Sequence, residues 1–77
     1  PLREMIEQAA LSFSRVGQPH HLRTRRIGNQ YAIELHVRMD GKISLEEAHR
    51  TATGIERKLK EMFGEGTHVG IHVEPIK

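Results

Sequence analysis

Six histidines stand out in this 77-residue chain: His20, His21, His36, His49, His68 and His72. A neutral imidazole offers a nitrogen lone pair to a divalent transition metal, and a carboxylate adds an oxygen donor. Glu74 follows His72 by two residues, so on an extended strand both side chains stand on one side of the sheet. Such donors at ~2.0–2.2 Å form tetrahedral Zn²⁺ sites and also suit Fe²⁺, Mn²⁺, Co²⁺ or Ni²⁺. There is no cysteine, which excludes thiolate ligands and disulfides. A lone surface histidine is more often a solvated polar residue than a ligand, so the His72-x-Glu74 pair carries more weight than any single ring. His49 borders a helical stripe and reads equally as a half-buried packing residue. His68 opens a strand beside a glycine turn and has the weakest case.

Other chemistry finds less support. Ser12, Ser14 and Ser44 lie in or at the starts of helical patterns without a glycine elbow. Glycine loops of the phosphate-cradling kind are missing, and we expect no enzyme activity. Arg23, Arg25 and Arg26 form a basic cluster, but only Tyr31 is placed to stack a base, and the formal net charge is just +2. We therefore expect no nucleic-acid partner. Two alternatives to a metal site stay open: an anion- or small-molecule-binding module built on the three arginines, and a purely structural dimerisation domain.

The elements that must position these groups follow from periodicity. Leu2, Met5, Ile6, Ala9 and Phe13 recur at helical spacing, predicting an amphipathic helix over 2–14 that Gly17 and Pro19 break. Residues 20–27 suit an exposed edge strand, and Gly28-Asn29 a tight turn. Over 30–40, Tyr31, Ile33, Leu35, Val37 and Met39 alternate with Ala32, Glu34, His36, Arg38 and Asp40, giving a half-buried strand with His36 on its polar face. Ser44 and Glu47 form a capping box in which hydroxyl and carboxylate each satisfy an orphan amide. The stripe Leu45, Ala48, Ala52, Ile55, Leu59, Met62 and Phe63 follows, stopped by Gly64 and Gly66. A last strand, 67–75, turns Val69, Ile71 and Val73 inward and His68, Gly70, His72 and Glu74 outward. The order αββαβ implies an α+β, ferredoxin-like two-layer sandwich: two helices on one face of a three-stranded mixed sheet, the last strand parallel to the second.

A chain of this length forms one small domain, residues 1–77, and stays marginally stable unless a metal or partner subunit helps. It carries no apolar run of membrane-spanning length. It begins at Pro1, inside a helical pattern, and reads as a piece of a longer protein.

Four motifs, in order, resemble the cytosolic C-terminal domain of cation diffusion facilitator transporters. They are His20-His21-Leu22-Arg23-Thr24-Arg25, Leu35-His36-Val37-Arg38-Met39-Asp40, Ser44-Leu45-Glu46-Glu47-Ala48-His49 and Ile71-His72-Val73-Glu74-Pro75. The resemblance covers residues 2–77. It implies a metallochaperone-like fold, a V-shaped homodimer on the cytoplasmic face of a bacterial inner or magnetosome membrane, and a separate membrane-spanning half that exports divalent cations by proton antiport. It implies that metal binding tightens the dimer and promotes transport. His20, His36, His49, His72 and Glu74 match the family's metal-binding positions, with His49 completing a site from across the dimer. His21 stands where the family has an aspartate that is a ligand in magnetosome-type members, which makes it a sixth candidate. Glu74 replaces the usual aspartate, one methylene longer. By resemblance Zn²⁺ is the first expectation for the ion, with Fe²⁺, Mn²⁺, Co²⁺, Ni²⁺ or Cd²⁺ open.

Overall fold

The computed structural model describes residues 2–76. Its order is α1 (Leu2–Leu11), β1 (His20–Ile27), β2 (Gln30–Met39), α2 (Leu45–Phe63) and β3 (His68–Pro75). The sheet runs β1-β2-β3, with β1 antiparallel and β3 parallel to the central β2. Period-two alternation sets the core: Ile33, Leu35, Val37 and Met39 are buried under both helices, against Ile6, Ala9 and Ala10 of α1 and Ile55 and Leu59 of α2. The opposite sheet face carries the polar residues and no helix.

Helix α2 starts where Ser44 Oγ accepts the Glu47 amide at 3.0 Å. Only this half of the expected capping box is made. The Glu47 carboxylate turns instead to Arg15 Nη2, 2.7 Å away, where a charged partner outcompetes a backbone amide. Helix α1 is shorter than periodicity predicts and ends at Leu11. Phe13 still packs on the core, because Gly54 lacks the Cβ that would stand 2.7 Å from its ring.

Four residues expected inside are not. Leu45 is 86% exposed, Met5 of α1 50%, Val73 41% and Met62 38%. Leu45 occupies the first turn of α2 and Val73 the far end of β3, so both overhang the edge of the layer that the helices cover. Met62 lies in the last turn of α2.

One irregularity places the histidines. Between His20 and Arg23 the β1–β2 register shifts, so β1 advances three residues while β2 advances two. In a regular strand His20 and Leu22 would share a face. The bulge lets Leu22 enter the core while His20 stays on the helix-free face. It is made by His21 at φ 51°, a left-handed conformation that histidine adopts more readily than bulky residues do. The Gly17 amide then donates to the Arg38 carbonyl at 2.6 Å, fixing the approach to β1.

Candidate metal centre

The strand register draws three histidines into one row. His20 lies opposite His36 on β2, and His36 opposite His72 on β3. All three stand on the face without helices. The His36 and His72 rings stack with centroids 4.6 Å apart and planes 16° from parallel. Glu74, two residues beyond His72, reaches back diagonally to this row. Its Oε2 is 3.0 Å from His36 Nδ1 and its Oε1 is 2.9 Å from His20 Nε2. One donor atom from each of His20, His36 and Glu74 lies within 4.8 Å of the others.

Charge follows geometry. The His36 hydrogen bond holds the Glu74 carboxyl below its ordinary value of 4.5, the charges of His20 and His36 add to this, and partial desolvation opposes it. At neutral pH Glu74 is therefore an acceptor only, so His36 Nδ1 must supply the hydrogen. His20 Nε2 is different. It is buried and 2.9 Å from Oε1, a close polar contact whose direction is poor for a hydrogen bond.

A divalent cation suits this arrangement. It accepts the lone pair of His20 Nε2, neutralises the carboxylate and takes the place of the proton between His36 and Glu74. Tetrahedral ligands at ~2.1 Å from a metal stand ~3.4 Å apart. The widest pair of donor atoms here closes by about 1.4 Å to reach that spacing, a side-chain adjustment. The nitrogen and oxygen donors fit the group that the sequence implies.

The other candidates fall around this centre. The His21 ring is 4.8 Å from that of His20 and 5.2 Å from that of His36, yet its nitrogens do not join the donor group. His72 pairs at 3.3 Å with Glu34 Oε2, a residue that sequence reasoning did not single out. Glu34 sits two residues before His36 and so on the same face, but its diagonal relation to His72 depends on a register the sequence does not print. His49 is exposed on α2, not half-buried, and makes none of these contacts. The arginines divide: Arg26 lies over the Tyr31 ring, 5.3 Å from its centroid, while Arg23 and Arg25 line an open cleft of about 540 Å³ with Lys60 and His68.

Fold and donor set together define a small α+β module with a donor group that could hold a metal ion, and comparison with known proteins agrees. Residues 1–76 match the family of the cytoplasmic domain of cation efflux proteins, and the chain belongs to that family, the cation diffusion facilitators. It is 35% identical over 71 residues to the cation-efflux pump FieF of Pectobacterium atrosepticum, a match covering 92% of this chain and 23% of the pump. It is 36% identical over 75 residues to FieF of Shewanella oneidensis, covering 97% of this chain and 25% of that protein. The chain thus spans about a quarter of the length of these relatives. Among solved structures, the metal-bound C-terminal domain of the CzcD transporter from Thermotoga maritima superposes with a TM-score of 0.86 at 33% identity, covering 96% of this chain and 86% of that one. The putative zinc transporter CzrB superposes with a TM-score of 0.88 at 35% identity, covering 99% and 94%. No helix among the described residues is long and apolar enough to cross a membrane.

Proposed function

We propose that residues 1–77 form the C-terminal metal-sensing and dimerisation domain of a proton-coupled divalent-cation efflux transporter. The observation that carries this reading is the His20–His36–Glu74 group, three donors from three strands whose ligand atoms lie within 4.8 Å of one another. A cation bound there links β1, β2 and β3 and favours the state of the dimer in which the donors converge best. It shifts that equilibrium only by its differential affinity, about 1.4 kcal/mol for each tenfold preference. Zn²⁺ is the first candidate, since nitrogen and carboxylate donors suit it and the relative CzrB is a putative zinc transporter. Fe²⁺, Mn²⁺, Co²⁺, Ni²⁺ and Cd²⁺ are compatible with the same donors.

Dimerisation is supported by what the helices leave bare. Leu45 and Val73 are exposed beside Ile43, Ala48 and Pro75, around an opening that also touches Glu74. An apolar patch of this kind on a small domain suits a second copy. His49 follows Ala48 directly, and the family resemblance gives it the role of completing the site from across the dimer. His21 and His72 complete the set of ligand candidates. The anion-binding alternative is weakened by the division of its arginines between the two faces of the sheet. We read the chain as a binding module and not an enzyme.

Small-angle scattering of the purified chain with and without Zn²⁺ tests the reading. A dimer that becomes more compact on saturation, with no change in a His36→Ala variant, is expected. A dimer whose dimensions ignore the ion would contradict it.

A further inference from the structure

Away from the metal centre the helix-free face changes character. Arg23 of β1 and Gly70 of β3 both register with Glu34 of the central strand, and one row farther on Arg25 and His68 both register with Ala32. Ala32 and Gly70 are the smallest residues of this face, and a Cβ added at Gly70 would meet nothing within 4 Å. Arg25 and His68 therefore stand across a trough two strand spacings wide, roughly 9.5 Å between their backbones, with only a methyl group between them. The trough belongs to the cleft of about 540 Å³, which at the edge of β3 also reaches Thr67 and, from α2, Glu56 and Lys60.

The charges along this cleft are unevenly matched. Glu34 is engaged by His72 at 3.3 Å and not by its register partner Arg23. Glu56 is engaged by Lys60 at 3.3 Å. Among the described residues no carboxylate pairs with Arg23 or Arg25. Two guanidinium groups thus leave one face of one strand, two residues apart, with nothing to neutralise them. Thr67 in the cleft wall is only 3% exposed, and its hydroxyl has no hydrogen-bond partner among the described residues.

We infer that this cleft is a binding site for a phosphate monoester. A guanidinium presents paired N–H donors that match phosphate oxygens bidentately, and two of them balance a charge of about −1.5 to −2 at neutral pH. His68 and Thr67 offer further donors from the opposite wall. The volume lies in the range of small-ligand pockets and exceeds what a bare phosphate fills, so the body of the ester rests on the floor made by Ala32 and Gly70. Arg26 takes no part, since it lies over the Tyr31 ring on the other face of the sheet. Ala32 is four residues from His36 along β2, about 13 Å, so the cleft and the metal donors are separate sites. A ligand of this chemistry is either free in solution or the headgroup of a lipid.

Two measurements on the metal-free chain test the site and separate these sources. One is an NMR titration of isotopically labelled chain with glycerol 3-phosphate. The other is co-sedimentation with phosphatidylcholine vesicles that contain phosphatidic acid, a lipid bearing the same monoester. Saturable shifts at the Ala32 and Gly70 amides are expected from the first if the ligand is free, while binding confined to the vesicles assigns the lipid. Arg25→Gln should weaken whichever binding is seen by about tenfold or more. Arg26→Gln removes the same charge from the opposite face and should bind like wild type. Gly70→Leu fills the trough without changing charge and should weaken binding as Arg25→Gln does, with circular dichroism confirming that each variant folds. A chain that binds neither probe overturns the proposal. Equal losses in Arg25→Gln and Arg26→Gln overturn it too, because net charge alone would then attract the anion, and so does a Gly70→Leu chain that binds like wild type.

Discussion

Replacing Glu74 by Gln keeps the shape of the side chain and removes its charge, which makes it the sharpest probe of the metal centre. Glu74 is the one residue that touches both other donors, at 2.9 and 3.0 Å. Its loss leaves two imidazoles where three donors stood. Disturbing the groups around a metal costs 10–100-fold in affinity, and losing a charged ligand belongs at the upper end of that range. A ligand at 100 times its Kd stabilises the folded state by about 2.7 kcal/mol, and at a concentration equal to its Kd by only about 0.4 kcal/mol. For a domain of this size each kcal/mol moves Tm by about 4–8 °C. At a Zn²⁺ concentration 100 times the wild-type Kd, wild type should gain roughly 11–22 °C and Glu74→Gln about 2–3 °C. Thermal unfolding followed by circular dichroism, with chelator and then with Zn²⁺, measures both shifts. Using the shift, not Tm itself, cancels whatever the substitution does to the metal-free chain. A Glu74→Gln shift as large as wild type's would refute the assignment of the carboxylate as a ligand.

Three further outcomes follow from particular residues. Because Glu74 has a lowered pKa in the fold, it binds protons more readily when unfolded, so the stability it contributes is present above its ordinary value of 4.5 and is lost as pH falls through its folded value; metal-free wild type should lose stability across that acid range more steeply than Glu74→Gln in pH-dependent denaturant melts. Metal binding should weaken as pH falls, because protons compete with the ion for the imidazole and carboxylate donors, and titrations at stepped pH should show it. His21→Gly relieves a left-handed residue of a side chain that disfavours it, so Tm should hold or rise by a few degrees, and Zn²⁺ affinity should stay near wild type; a loss of affinity as large as that of Glu74→Gln would make His21 a ligand after all. Leu45→Glu places a charge on an apolar side chain that is 86% exposed, and light scattering should find it monomeric at concentrations where wild type is dimeric, with the helix content unchanged.

Most of the architecture was legible because period and caps act locally. The alternation from Tyr31 to Met39 could only be a half-buried strand, and Ser44 with Glu47 marked the start of α2 to the residue. The parallel return of β3 followed from a helical crossover. What could not be read was register, a non-local property. Parity put His36, His72 and Glu74 on one face, but only the pairing shows His20, His36 and His72 in a single row. Parity also set His20 and Leu22 on one side of β1, and nothing in the local sequence announces the bulge at His21 that separates them. Glu34 was visible as an outward residue two before His36, yet it gained meaning only once its carboxylate was found beside His72. Leu45 and Val73 fit their apolar stripes and still lie outside, because a stripe does not say how far the opposing layer extends.

The central claim is that imidazole and carboxylate groups from separate strands share one ion. Anomalous scattering from crystals grown with saturating Zn²⁺, recorded on both sides of the zinc absorption edge, tests it directly. The account predicts a zinc peak ~2.0–2.2 Å from donor atoms of His20, His36 and Glu74 together. A fully loaded crystal with no peak among these three residues, their side chains paired with one another instead, would contradict it.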